Sequence, residues 1–147
     1  MNAVKPRARH KARQYVLQAL YQWQMTQITL SEIEIQFHTY HGMKDVDFEY
    51  FHELIHQIPA QLDTLDETFK KYIDRKLEEL NIIELMILRM GTYELMHRTD
   101  IPYKVIINEA LVLAKSFGAT EGHKYVNGVL DKVAREYRQI EFQNADS

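Results

Sequence analysis

A chain of 147 residues, 46% hydrophobic and 27% charged, is long enough for a well-filled core and has the composition of an ordinary globular domain. It holds no cysteine, which excludes disulfides, thiolate metal sites and cysteine nucleophiles, and no uncharged apolar run nears the roughly 18 residues that cross a bilayer. The net charge of −3 is unevenly spread: Lys5, Arg7, Arg9, Lys11 and Arg13 crowd the N-terminus, the first acid is Glu32, and the remainder sets 13 basic against 21 acidic residues.

The basic start has no apolar segment behind it, so a secretion signal is not expected and the cytoplasm is the simplest address. From Ala8 to Gln24, Ala12, Tyr15, Val16, Ala19, Leu20 and Trp23 recur on one helical face, which predicts a first helix. ITLSEIEIQF (28 to 37) alternates like a strand. Ser31 followed by Glu34 is spaced as a capping box, with Leu30 and Ile35 as a hydrophobic staple, so a second helix ending at His41-Gly42 is the better reading.

Asp45 is placed to cap a third helix carrying Phe48, Phe51, Leu54, Ile55 and Ile58, stopped by Pro59. Leu62, Leu65, Phe69, Tyr72 and Ile73 form the stripe of a fourth. Asn81 to His97 is apolar on nearly every side, as in a helix packed all round. Pro102 opens a further helix that Gly118 should stop in a left-handed conformation. The last, from about Thr120 to Arg138, should bury Val126, Val129, Leu130, Val133 and Tyr137, leaving a frayed polar tail after Ile140. Few glycines and prolines and no repeat describe an all-α chain of about seven helices, dividing near residue 60 into a smaller and a larger half.

One short motif suggests an enzyme. His52-Glu53-Leu54-Ile55-His56 has the H-E-x-x-H spacing that sets two imidazoles one turn apart on zinc with a glutamate as general base. On a helical wheel, however, His52 lies roughly 110° and His56 roughly 150° from the centre of the apolar face. No H-x-x-G-x-x-H extension supplies a third ligand. The expectation is two solvated histidines, no resident metal or other cofactor, and no catalysis; His38 and His41 could compete for an adventitious ion.

Two groups point instead to nucleic acid. KPRARHKAR (5 to 13) puts cations at a helix N-terminus, against the helix dipole, a conflict that an external phosphate backbone would resolve; a solvated tail is the alternative. Near the start of the last helix, His123-Lys124-Tyr125-Val126-Asn127 combines a cation, a ring able to stack on an unpaired base, and an amide. Tyr125 could equally be an edge residue of the core.

RQYVLQALYQWQ (13 to 24), KDVDFEYF (44 to 51), LRMGTYEL (88 to 95) and above all IPYKVIINEALVLAKSFGATEGHKYVNGVLDKVARE (101 to 136) resemble the bacterial transcription antitermination factor NusB family over almost the whole chain. The resemblance implies two perpendicular helical bundles and binding, without catalysis, to single-stranded boxA RNA of ribosomal RNA leader transcripts. It also implies pairing with NusE, a small-subunit ribosomal protein, within the RNA polymerase antitermination complex, and leaves open a homodimer when NusE is absent. The family's basic segment falls on Lys5, Arg7, Arg9, His10, Lys11 and Arg13, and its lysine-aromatic pair on Lys124 and Tyr125, with Asn127 nearby. Where similar proteins often carry an arginine triplet and a phenylalanine, this chain has Arg9-His10-Lys11 and Tyr125. Glu78, Glu84 and Tyr21, near the junction of the halves, are the implied NusE contacts, although Asn81-x-x-Glu84 is also spaced as a helix cap. A rival assignment is the accessory domain of a ribosomal RNA cytosine methyltransferase, which would expect a catalytic domain to follow.

Overall fold

A computed structural model describes residues 6–118 and 121–146. Its regular structure is helical, with no strand among the described residues: α1 (Pro6–Met25), α2 (Leu30–His41), α3 (Phe48–Ala60), α4 (Leu62–Lys70), α5 (Ile82–His97), α6 (Tyr103–Phe117), α7 (Gly122–Tyr137) and α8 (Gln139–Asp146), with a 3-10 turn at Leu77–Glu79. None of these helices is long and apolar enough to cross a membrane. The all-α expectation holds. The chain forms two compact units, Met1–Ala60 and Gln61–Ser147.

In the first unit the inner faces of α1, α2 and α3 meet at Val16, Leu20, Ile33, Phe37, Phe51 and Ile55, all buried. Phe37 is the hub of the aromatic packing, 5.6 Å from the Phe51 ring and stacked at 4.6 Å on His41. The helix starts differ from the sequence expectation. Thr29, not Ser31, caps α2, its hydroxyl accepting from Glu32 N–H, and Ile35 is 64% exposed instead of closing a staple. Thr29 and Ser31 both precede a glutamate by three residues, and only the register of the buried face decides between them. Gly42 ends α2 at φ 73°, as expected of a left-handed C-terminal residue.

Asp47, not Asp45, caps α3: its Oδ1 accepts from Tyr50 N–H at 3.1 Å. Asp45 instead takes a left-handed conformation (φ 63°) in the preceding turn, a role that aspartate tolerates. Phe48 is 43% exposed, so the apolar face begins with Tyr50 and Phe51.

The second unit is built around α5, buried from Met86 to Leu95 and packed by α4, α6 and α7. Two charged groups are locked into it. The Arg89 guanidinium grips Asp66 of α4 in two parallel hydrogen bonds of 2.8 and 2.9 Å. Arg138, 5% exposed, turns back over the end of α5 and donates to the carbonyls of Leu95 (2.9 Å), Arg98 (2.8 Å), Glu94 (3.2 Å) and Ile101 (2.8 Å), and to the Glu141 carboxylate. The last carbonyls of a helix lack partners of their own, and a buried cation both satisfies them and opposes the negative end of the dipole.

Two expectations for the C-terminal end are corrected. Gly118 is extended (φ −93°, ψ −177°) rather than left-handed; a side chain there would press on the Ala114 carbonyl oxygen, so close approach, not handedness, excludes a Cβ. The tail is a helix, not a frayed end. Phe142 of α8 stacks on Tyr103 at 4.3 Å, Arg135 lies over the Phe142 ring, and Glu141 accepts from Tyr103 N–H at 3.0 Å. Tyr137, expected in the core, is 40% exposed.

Candidate nucleic-acid interface

The basic N-terminal segment is the first turns of α1, and the helical period sorts its cations. Arg9 and Arg13 fall in line with Val16 and Leu20 and so face inward. Arg13 is 2% exposed, with its guanidinium 5.3 Å from the Tyr50 ring centroid. Arg9 lies over the same ring at 4.3 Å and pairs with Asp47 Oδ2 at 3.4 Å. Tyr50 is thus flanked by two guanidiniums, and the Asp47 carboxylate both caps α3 and holds Arg9. A side chain as buried as Arg13 offers no surface to a phosphate; its part in this segment is packing.

Arg7, His10 and Lys11 occupy the opposite side. Arg7 is exposed, Lys11 half-buried, and half-buried His10 meets Gln14 one turn on at 3.3 Å. Lys5 lies outside the described residues.

In the second unit, Lys124 and Asn127 are exposed on the first turns of α7 and Tyr125 is half-buried between them. Lys124 Nζ meets Glu121 Oε2 at 2.7 Å, an exposed pair of little net strength. The Tyr125 ring is not a core residue. Arg75 lies over it at 4.5 Å, Asp74 pairs with Arg75 at 2.8 Å, and Tyr125 Oη donates to Asp74 Oδ1 at 3.4 Å. Burial raises the Tyr125 pKa above the ordinary tyrosine value, so the phenol stays a neutral donor at physiological pH. Guanidinium and ring form a stacked pair, with Lys124 and Asn127 exposed at neighbouring positions of α7. Arg75 is the member that sequence reading misses: it sits in the turn after α4, 50 residues from Tyr125, and its only local signal is the basic pair Arg75-Lys76.

The three candidate partner residues divide. Tyr21 is 37% exposed on α1 and Glu78 is exposed in the 3-10 turn. Glu84 is 8% exposed. Asn81 caps α5, its Oδ1 accepting from Ile83 N–H (2.9 Å) and Glu84 N–H (3.3 Å). The Glu84 carboxylate packs so tightly on Gly122, the first residue of α7, that a Cβ there would collide with Oε1. An anion at a helix N-terminus is favourable, so Glu84 works inside this unit instead of standing out towards a partner.

The histidines of the H-E-x-x-H stretch also depart from expectation. His52 is exposed, but His56 is half-buried, and both turn onto one carboxylate from α2: His52 Nδ1 is 2.5 Å from Glu34 Oε2 and His56 Nε2 is 2.9 Å from Glu34 Oε1. Burial opposes ionisation of Glu34, yet the hydrogen bonds from His56 and His52 outweigh it and hold its pKa below the usual glutamate value. They are a linked pair rather than two solvated side chains.

The sequence model of the NusB family matches residues 10–135. The chain is 52% identical over 140 residues to the transcription antitermination protein NusB of Alcanivorax borkumensis, spanning 95% of this chain and 93% of that one. It is 50% identical over 135 residues to the protein of the same name from Idiomarina loihiensis, spanning 92% and 97%. Among solved structures it is similar to NusB of T. maritima, with TM-score 0.75 and 28% identity over 93% of this chain and 94% of that one. The fold is also that of a NusB chain crystallised with NusE and double-stranded RNA, with TM-score 0.79 and 22% identity over 87% and 96%.

Proposed function

The chain belongs to the NusB family, so its function is transcription antitermination, and we propose that it acts by holding single-stranded boxA RNA of ribosomal RNA leader transcripts together with NusE. It works in the cytoplasm at transcribing RNA polymerase, by binding and not by catalysis. The observation that carries the RNA reading is the Arg75–Tyr125 stack beside exposed Lys124 and Asn127. An unpaired base finds there an aromatic or guanidinium plane, with a cation on the next residue for its phosphate.

Arg7, His10 and Lys11 supply phosphate contacts from α1, with Lys5 ahead of them and Arg9 joining when it leaves Asp47. Arg13 supports that surface from beneath. Such contacts set register and affinity, whereas the Tyr125 group reads bases. Glu78 and Tyr21 are retained as surface contacts for NusE. Glu84 is retained only as the residue that orders the start of α7.

The test is RNA binding by the full chain with and without NusE, comparing boxA with a scrambled strand of equal length. Expected are tighter binding of boxA than of the scrambled strand and a further gain on adding NusE. Equal affinity for both strands, with no gain from NusE, would refute the proposal.

A further inference from the structure

We propose that Glu34, His52 and His56 form a binding site for a late first-row divalent cation, Zn2+ above all, that clips α2 to α3 in the N-terminal unit. The sequence lacks a third ligand for the H-E-x-x-H pair only because the ligand is not on that helix. It comes from α2, 18 residues before His52. One donor atom from each of the three residues lies within 4.8 Å of the others.

The chemistry suits the geometry. Zn2+ bonds imidazole nitrogen and carboxylate oxygen at about 2.0–2.2 Å, so its ligand atoms stand about 3.3 Å apart in a tetrahedron. The His56–Glu34 separation is 2.9 Å and the His52–Glu34 separation 2.5 Å, and the two imidazole rings are 4.5 Å apart at a 50° tilt. To reach that spacing the His52 and Glu34 atoms must part by about 0.8 Å and the His56 and Glu34 atoms by about 0.4 Å.

The pairing itself is what a cation would replace. An ionised carboxylate only accepts hydrogen bonds, so His52 must keep a proton on Nδ1 and His56 one on Nε2, each aimed at the same group. One divalent cation takes the place of both protons and is neutralised in part by the carboxylate, which is already ionised near neutral pH. Two imidazoles and one carboxylate are the donor set that prefers Zn2+ and its neighbours over Mg2+ or Ca2+. Water completes the fourth position on the exposed side, where the His52 side chain is 55% exposed. His38, one turn along α2 from Glu34, packs its ring on Phe48 at 4.4 Å and is not one of the three residues whose donor atoms converge.

The experiment titrates untagged full-length protein with Zn2+ by calorimetry, repeats the titration with Co2+ to read its visible ligand-field bands, and follows thermal unfolding at each step. Expected are one equivalent of metal, tetrahedral Co2+ bands and a metal-dependent rise in the melting temperature. Glu34→Gln, His52→Asn and His56→Asn should each weaken binding by at least about ten-fold. His38→Asn should stay within about two-fold of wild type. His52 is mostly exposed, so His52→Asn keeps the fold intact and isolates the ligand; unchanged far-UV circular dichroism verifies this. Wild-type affinity no tighter than that of His52→Asn and Glu34→Gln, or binding lost equally in His38→Asn, would overturn the site.

Discussion

Replacing Arg138 by methionine tests the physical account of the C-terminal unit at its most concentrated point. Methionine keeps an unbranched apolar stem and removes the guanidinium. Four carbonyl contacts, each worth at least about 1.5 kcal/mol with a charged donor, would sum to roughly 6 kcal/mol. They share one group and are not additive, and water can reach the end of α5 once it opens, so the expected loss is about 3–5 kcal/mol. Glu141 adds little because its side chain is 33% exposed and can rehydrate. Glu141→Gln should therefore cost under about 1 kcal/mol. Urea unfolding read by circular dichroism gives both values; Trp23, the single tryptophan, reports the first unit in the same samples. A loss below about 1 kcal/mol for Arg138→Met, or one equal to that of Glu141→Gln, would refute the view that the carbonyl contacts order this end of α5.

Gly122→Ala would by helix propensity alone stabilise α7 by about 1 kcal/mol, but the collision with Glu84 should reverse the sign to a loss of about 1–3 kcal/mol. Glu84→Ala in the same chain should restore most of it, which a double-mutant cycle measures. Asp47→Ala removes the α3 cap and the Arg9 partner together and should cost about 1–2 kcal/mol in urea unfolding followed at Trp23. Tyr125→Ala and Arg75→Ala should each weaken boxA binding by about 1–3 kcal/mol in a fluorescence titration, with the melting temperature almost unchanged. Glu34 has a folded pKa below the usual 4.5, so its ionised form contributes stability above that pH and loses it as acid carries the pH through the depressed value. With chelator present, the stability gap between wild type and Glu34→Gln should be full at neutral pH and close below pH 4.5; a gap that persists in acid would contradict the pairing.

The helices were legible because their apolar period is strong, and the all-α fold followed from it. Their ends were less so. Thr29 and Ser31, or Asp45 and Asp47, each satisfy a cap pattern within one turn, and the choice rests on which register buries Ile33 and Phe51. A helical wheel would have sorted Arg9 and Arg13 from Arg7 and Lys11, since all four lie on one helix. By contrast, no local pattern joins Arg75 to Tyr125, Glu34 to His56, or Glu84 to Gly122; these contacts come from helices meeting after long stretches of chain. The tail misled because α8 is anchored by few residues, Phe142 and Glu141 chief among them, in an otherwise polar segment.

The Arg9–Asp47 pair changes what a salt titration of RNA binding can report. Asp47 is already the counterion of Arg9, held in place by its second task at the start of α3. When Arg9 moves to a phosphate it must first give up that carboxylate, so it adds affinity only against a fixed local cost, although it still displaces condensed cations from the RNA as any phosphate contact does. Each phosphate neutralised contributes about 0.7 to the slope on a single strand. The slope should accordingly fall short of the number of basic residues in the N-terminal run, because Arg13 is buried and Arg9 reaches a phosphate only by leaving Asp47.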